Sequence, residues 1–245
     1  MPWNGVPDAD RMGTGMETVF ITGADRGVGS ALTAEFAAHG YRVLAGQFMP
    51  EWMELEELEK KYPGRITRIP LDVGNTQSVR QAAAEAAQLT DRVDILVNCA
   101  GVYLDNEKER FARTLNINTF GPLRVTGEFL PLMEKGRKRI CYFSSEAGSM
   151  TLLHRTGETD SAYCISKAML NMQAKLLFNE LRPKGFTFRL YHPGWVRSYM
   201  SGVKATEGRY EPEETAGEAF RQFTQAREWE DVLLMTDVKG EIWTF

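Results

Sequence analysis

Tyr163 and Lys167 stand four positions apart in a stretch with helical periodicity. Their side chains therefore share one helix face and their head groups can meet at a common point. A phenol ordinarily ionises near pH ~10. An ammonium beside it favours the phenolate, which makes the tyrosine a usable general acid/base near neutral pH. Such a group can pass a proton to or from the oxygen of a carbonyl or alcohol. Alone, the pair would better fit an amphipathic helix surface with the tyrosine at the edge of the core. Much earlier, Thr22-Gly23-Ala24-Asp25-Arg26-Gly27-Val28-Gly29 places three glycines close together. Their missing side chains let backbone N–H groups and a helix N-terminus approach a pyrophosphate. A phosphate cradle followed by an acid/base pair is the order expected of an oxidoreductase that uses a dinucleotide.

These residues need elements to hold them. Strand-like runs at 18–21, 42–45, 66–71, 93–97, 140–143, 187–191 and 241–244 alternate with helical patterns at 30–38, 52–61, 78–89, 106–133, 162–181 and 212–229. Asn75 or Thr76 is positioned to cap the third helix. Strands separated by helices cannot pair as hairpins, which predicts an α/β fold: a doubly wound, Rossmann-type parallel sheet with right-handed crossovers. No linker or repeat divides the series, so 16–245 reads as one domain, with the glycine turn between the first strand and first helix. Residues 1–15 carry several breakers and no periodicity, and read as a flexible leader. Segment 195–210, with several glycines and Tyr199, Met200 and Tyr210, reads as a mobile lid over substrate.

Composition narrows the function. A formal charge of −4 opposes nucleic-acid binding, which calls for a basic stripe. The basic cluster 135–139 reads as a solvated helix-to-strand turn. No apolar run reaches bilayer-spanning length, and the N-terminus lacks a secretory profile. Cys99, Cys141 and Cys164 are odd in number and widely spaced, which fits reduced thiols in a cytoplasmic protein and no metal site.

Further motifs follow in order: Asn98-Cys99-Ala100-Gly101, Asn118, Ser144-Ser145 and His192-Pro193-Gly194-Trp195. With the glycine turn and the Tyr163/Lys167 pair, they make the chain resemble the single-domain short-chain dehydrogenase/reductase family over 17–245. Segments 115–123, 166–172 and 192–197 are most similar to C-factor/sniffer-type carbonyl reductases. The resemblance implies a catalytic tetrad of Asn118, Ser145, Tyr163 and Lys167. Ser145 would bond the substrate oxygen and the tyrosine, and Asn118 would hold a water that links the lysine to solvent. Asn116 competes with Asn118, but the Asn-x-x-Gly spacing favours the latter. The resemblance assigns cofactor contacts to Gly23, Asp25, Arg26, Gly27, Val28 and Gly29, to Gln47, Asp72 and Val73, to Asn98, Ala100 and Gly101, to Tyr163 and Lys167, and to Pro193, Gly194 and Val196.

Charge decides the expected cofactor. Ala45-Gly46-Gln47-Phe48 has no acid to bind ribose hydroxyls and repel a 2′-phosphate, while Arg26 can pair with one. NADPH is thus favoured over NADH, although Phe48 stands where many NADPH-using relatives carry a second arginine. Two departures stand out. Cys99 replaces the family's second Asn, and Ser145 and Tyr163 lie 18 positions apart, about five more than usual in the family. The extra residues fall in 149–160, a loop expected to border the substrate pocket, where His154 reads as solvent-facing. His192 reads as structural. The expected reaction is hydride transfer between NADPH and a small carbonyl or alcohol. The alternatives are a signalling or scaffolding relative without net turnover, or an epimerase or dehydratase. By analogy of the two long helices, a homodimer or tetramer is expected.

Overall fold

The computed structural model describes residues 15–104, 106–154 and 157–245. The expected leader therefore lies outside the described residues, apart from Gly15. The first strand, β1 (Thr18–Ile21), is buried along its whole length. Apolar residues on both faces are what a central parallel strand requires, because helices cover each side. The pattern repeats in β2 (Arg42–Gln47), β4 (Ile95–Asn98), β5 (Arg139–Phe143) and β6 (Thr187–His192), while β3 (Ile66–Pro70), at the sheet edge, is only partly buried. The helices are α1 (Gly27–Ala38), α2 (Glu54–Lys61), α3 (Thr76–Leu89), α4 (Lys108–Leu115), α5 (Gly121–Met133), α6 (Gly157–Leu181) and α7 (Pro212–Thr224). Asn75 caps α3, its side chain accepting from the N–H groups of Gln77 and Ser78.

With β7 (Met235–Asp237) and β8 (Ile242–Trp243), the strands form one sheet in the order β3-β2-β1-β4-β5-β6-β7-β8. The order reverses between β1 and β4, and there the carboxyl ends of the strands open into a crevice. Alternation along β1 feeds two cores. Phe20 packs with Leu96, Phe129 and Leu170 on one face, while Ile21 joins Leu32, Phe36 and Phe223 on the other.

The structure corrects five expectations. The sheet is not wholly parallel: β8 runs antiparallel to β7, a strand the sequence reading lacked, because only a short turn at 238–241 joins them. At three residues, β7 is too short for its periodicity to show. The helix expected over 106–133 is interrupted by a π-helical segment, Asn116–Phe120. The loop expected over 149–160 is partly helix, since α6 begins at Gly157. The basic cluster is the expected helix-to-strand turn only up to Lys138, for Arg139 lies in β5, buried and bonded to the carbonyl oxygens of Phe223 and Gln225 and to Glu230. The same bonds occupy the last carbonyls of α7, which ends at Thr224 and not at 229.

Candidate active site

The strand-to-helix turn after β1 is built for close backbone approach. Gly23 and Gly27 have φ of +65° and +57°, where a side chain is strained. A Cβ on Gly29 would lie 1.9 Å from the carbonyl oxygen of Gly23. The turn is pinned by Ala24 N–H, which donates to Gly46 O at 3.0 Å. Thr22 Oγ1 accepts from the N–H groups of Cys99 and Ala100, both at 3.0 Å, and so ties it to the end of β4. Those bonds hold the Cys99 backbone in place of any side-chain amide, and burial pushes its thiol up to about 12.

A cleft of about 430 Å³ lies over this crevice. It is lined by Gly23, Asp25, Arg26, Val28, Gly29, Asp72, Val73, Ala100, Gly101, Tyr163, Lys167 and Pro193. Gln47 and Asn98 end β2 and β4 and are buried. Their Nε2 and Oδ1 atoms, respectively, have no hydrogen-bond partner. Neither residue lines the cleft, and it is the side-chain-free glycine turn at the cleft wall that fits the pyrophosphate of a dinucleotide. Gly27, Gly194 and Val196 stand apart from the cleft wall. Gly27 abuts Ser198, Gly194 packs against the Tyr210 ring, and Val196 forms an isolated bridge with Tyr210. Phe48 and, from the expected lid, Ser198 and Met200 also line the cleft, as do Arg113 and Ile117, which sequence reading missed. For Ile117 the only signal was its place beside the Asn118 motif.

Asp25 lies in the cradle itself. Its carboxylate accepts from Phe48 N–H at 2.7 Å, and burial raises it to about 6 despite that bond and nearby Arg26. Asp72 instead closes its own turn, accepting from Gly74 N–H.

At the other end, α6 carries Tyr163 and Lys167 inward, both buried. Lys167 Nζ donates to Phe143 O at 2.8 Å and sits 5.7 Å from the centre of the Tyr163 ring. Burial pulls this ammonium down to about 8, with Cys99 and Glu146 opposing. Asn118 lies in the π-helical segment, where the widened turn re-aims its amide. The amide accepts from Val102 N–H at 2.8 Å and donates to Val102 O and to Ser166 Oγ. Ser166 Oγ donates in turn to Tyr163 O, so the segment and α6 are locked together. Asn116 is engaged elsewhere, with Gly74 O and Arg124.

Ser145 departs from the expected geometry. Its hydroxyl donates to Glu146 Oε2 at 2.7 Å and accepts from Ala147 N–H, and neither bond reaches Tyr163. The Tyr163 ring instead meets Tyr103 edge-on, with centroids 5.2 Å apart, and Tyr103 donates its hydroxyl to Asp160. His154 is exposed, and His192 is buried beside Glu146 and Trp243, both as expected. Segment 195–210 is folded back on itself through Arg209 N–H to Trp195 O and Arg197 N–H to Tyr210 O. Among the described residues, no group of three His, Cys, Asp or Glu side chains could hold a metal, and no helix is long and apolar enough to cross a membrane.

Comparison with known proteins agrees with this fold. The short chain dehydrogenase family model matches residues 17–208. An uncharacterised oxidoreductase of Schizosaccharomyces pombe is 35% identical over 199 residues, 78% of each chain. C-signal of Myxococcus xanthus is 41% identical over 124 residues, 48% of this chain and 74% of that protein. The NADPH-bound carbonyl reductase from chicken fatty liver superposes with a TM-score of 0.84 at 25% identity, covering 94% of this chain and 99% of that one. These matches bear out the resemblance to C-factor/sniffer-type carbonyl reductases. The chain thus belongs to the short-chain dehydrogenase/reductase family and is a nicotinamide-dependent oxidoreductase.

Proposed function

We propose that the protein is an NADPH-dependent carbonyl reductase, or the reverse alcohol dehydrogenase, with Tyr163 as its general acid/base. The observation that carries this reading is the buried Lys167 ammonium, held by Phe143 O beside the Tyr163 ring at the wall of the cleft. In a dry site a cation so close to a phenol favours the phenolate more strongly than it would in water. The nicotinamide, when bound, carries the hydride. In reduction, Tyr163 gives its proton to the substrate oxygen. Lys167 tunes Tyr163 and orients the ribose. Asn118 maintains the proton path from Lys167 to solvent. Ser145 polarises the carbonyl once its hydroxyl turns from Glu146 toward the substrate.

NADPH preference rests on Arg26 at the cleft and on the absence of an acid at the end of β2. The likeness to an NADPH-bound carbonyl reductase supports it. Segment 195–210 acts as the substrate lid, with Met200 in the cleft wall and its carbonyl accepting from Tyr103 N–H. A cytoplasmic homodimer or tetramer completes the reading, supported by exposed Leu123 on α5 and Met172 and Leu176 on α6.

Tyr163→Phe should abolish NADPH consumption against a panel of ketones, aldehydes and quinones, with NADPH binding near normal. Substantial turnover in that variant would remove Tyr163 from the mechanism. Tight NADPH binding by the unaltered chain with no carbonyl consumed would favour a scaffolding role.

A further inference from the structure

Three separate segments meet at the nucleotide end of the cleft. Arg26 comes from the glycine turn, Trp52 from the stretch between β2 and α2, and Tyr199 from segment 195–210. The Arg26 guanidinium carbon lies 4.7 Å from the centre of the Trp52 ring and 5.6 Å from that of Tyr199. The two rings meet edge-to-face, 4.8 Å apart and inclined at 71°, and so form a corner around the cation. Arg26 Nη2 also donates to Tyr199 O at 3.4 Å. Beside it, a Cβ on Gly27 would lie 3.2 Å from Ser198 Oγ and 3.6 Å from the Tyr199 ring, so lid side chains rest directly on the cradle.

We propose that Trp52 and Tyr199 are positioning residues for Arg26, and that this aromatic corner sets the preference for NADPH over NADH. The inference rests on the reading of Arg26 as the group that pairs with the 2′-phosphate. An arginine side chain in water samples many rotamers, and fixing it costs entropy at the moment of binding. Ring quadrupoles hold the cation from its faces and leave in-plane N–H groups for a phosphate. Arg26 is thereby ordered before the nucleotide arrives. NADH has no 2′-phosphate and gains nothing from that order. Because Tyr199 belongs to segment 195–210, the same contact ties lid position to phosphate recognition.

The test is calorimetric titration of the full chain with NADPH and with NADH, alongside melting temperatures. Trp52→Ala and Tyr199→Ala should each weaken NADPH binding about fivefold to tenfold, the range of a partly desolvated cation–π contact. NADH binding should change less than about twofold, since it makes no use of the guanidinium. Trp52→Phe and Tyr199→Phe keep a ring face and should keep most of the NADPH affinity, even if the alanine variants prove unstable. In an Arg26→Gln background, removing either ring should have no further effect on the NADPH/NADH ratio. If Arg26→Gln leaves that ratio unchanged, Arg26 does not read the phosphate and the underlying reading fails. If Arg26→Gln collapses the ratio while the ring variants preserve it, that reading stands and the aromatic corner is overturned.

Discussion

Asp25 shows how one side chain can work against its own site. It lies in the cradle wall, where an anionic pyrophosphate would approach, yet burial raises its carboxyl to about 6 from 3.8. Between those values the folded chain holds a proton that the unfolded chain has released. Its contribution to stability is therefore present below 3.8 and fades as pH rises through about 6. Near pH 7 the carboxylate is ionised and repels the ligand. Asp25→Asn keeps an oxygen for Phe48 N–H and removes the charge. The variant should bind NAD⁺ more tightly than the parent at pH 7, with the difference narrowing as pH falls below about 6. NAD⁺ is the suitable probe because the phosphate of NADPH itself titrates near ~6. Calorimetry across that range decides the point, and equal affinity at every pH would mean that Asp25 does not face the phosphates. Lys167 runs in the opposite sense. Burial lowers it to about 8, and the chain tolerates a buried ammonium where one is needed beside Tyr163.

At the scale of elements, the site depends on two local irregularities. The π-helical segment between α4 and α5 aims Asn118 at Val102 and Ser166. The 3₁₀ turn Glu146–Gly148, capped by Ser145 just after β5, packs hard against α6. A Cβ on Gly148 would lie 2.8 Å from Lys167 O and 2.7 Å from Asn171 Nδ2, so the turn can seat itself only without one. Gly148→Ala should cost about 1–3 kcal/mol, as overpacking generally does. It should also lower kcat by displacing the backbone under Lys167. A melting curve and a rate together check this, and unchanged values for both would show that the turn has room to give.

The whole molecule is fastened far from the cleft by a buried charge cluster. Glu230 Oε1 lies 3.0 Å from Arg139 Nη2 and 2.5 Å from Arg189 Nη2, and its Oε2 accepts from Arg189 Nη1 at 2.6 Å. Both arginines are almost fully buried. Their remaining donors hold carbonyls at the end of α7, joining β5, β6 and α7. Glu230→Leu would leave two guanidiniums short of their counter-ion and should cost about 3–5 kcal/mol. Chemical denaturation measures it. A loss below about 1 kcal/mol would mean that backbone carbonyls alone satisfy the pair.

The division between what was legible and what was not follows from range. Alternating apolar strands and helices, the glycine turn and the Tyr163/Lys167 spacing are local patterns, because backbone sterics and helical period act over a few residues. They sufficed for the doubly wound sheet and for the presence of both halves of the site. The antiparallel β8, the π-helical segment and the burial of Arg139 were not legible, since each depends on partners 6 to 91 positions away. The role of the Ser145 hydroxyl was implied by family resemblance, but only the folded chain decided that it turns to Glu146. Likewise, Arg26 was visible in the sequence as a basic residue beside a phosphate cradle. Its seat between Trp52 and Tyr199 exists only after folding, because the rings approach from segments 26 and 173 residues further along. Local sequence thus determined which chemical groups the protein has and the frame that carries them. Tertiary packing decided which way those groups face, since orientation is set by non-local contacts and burial.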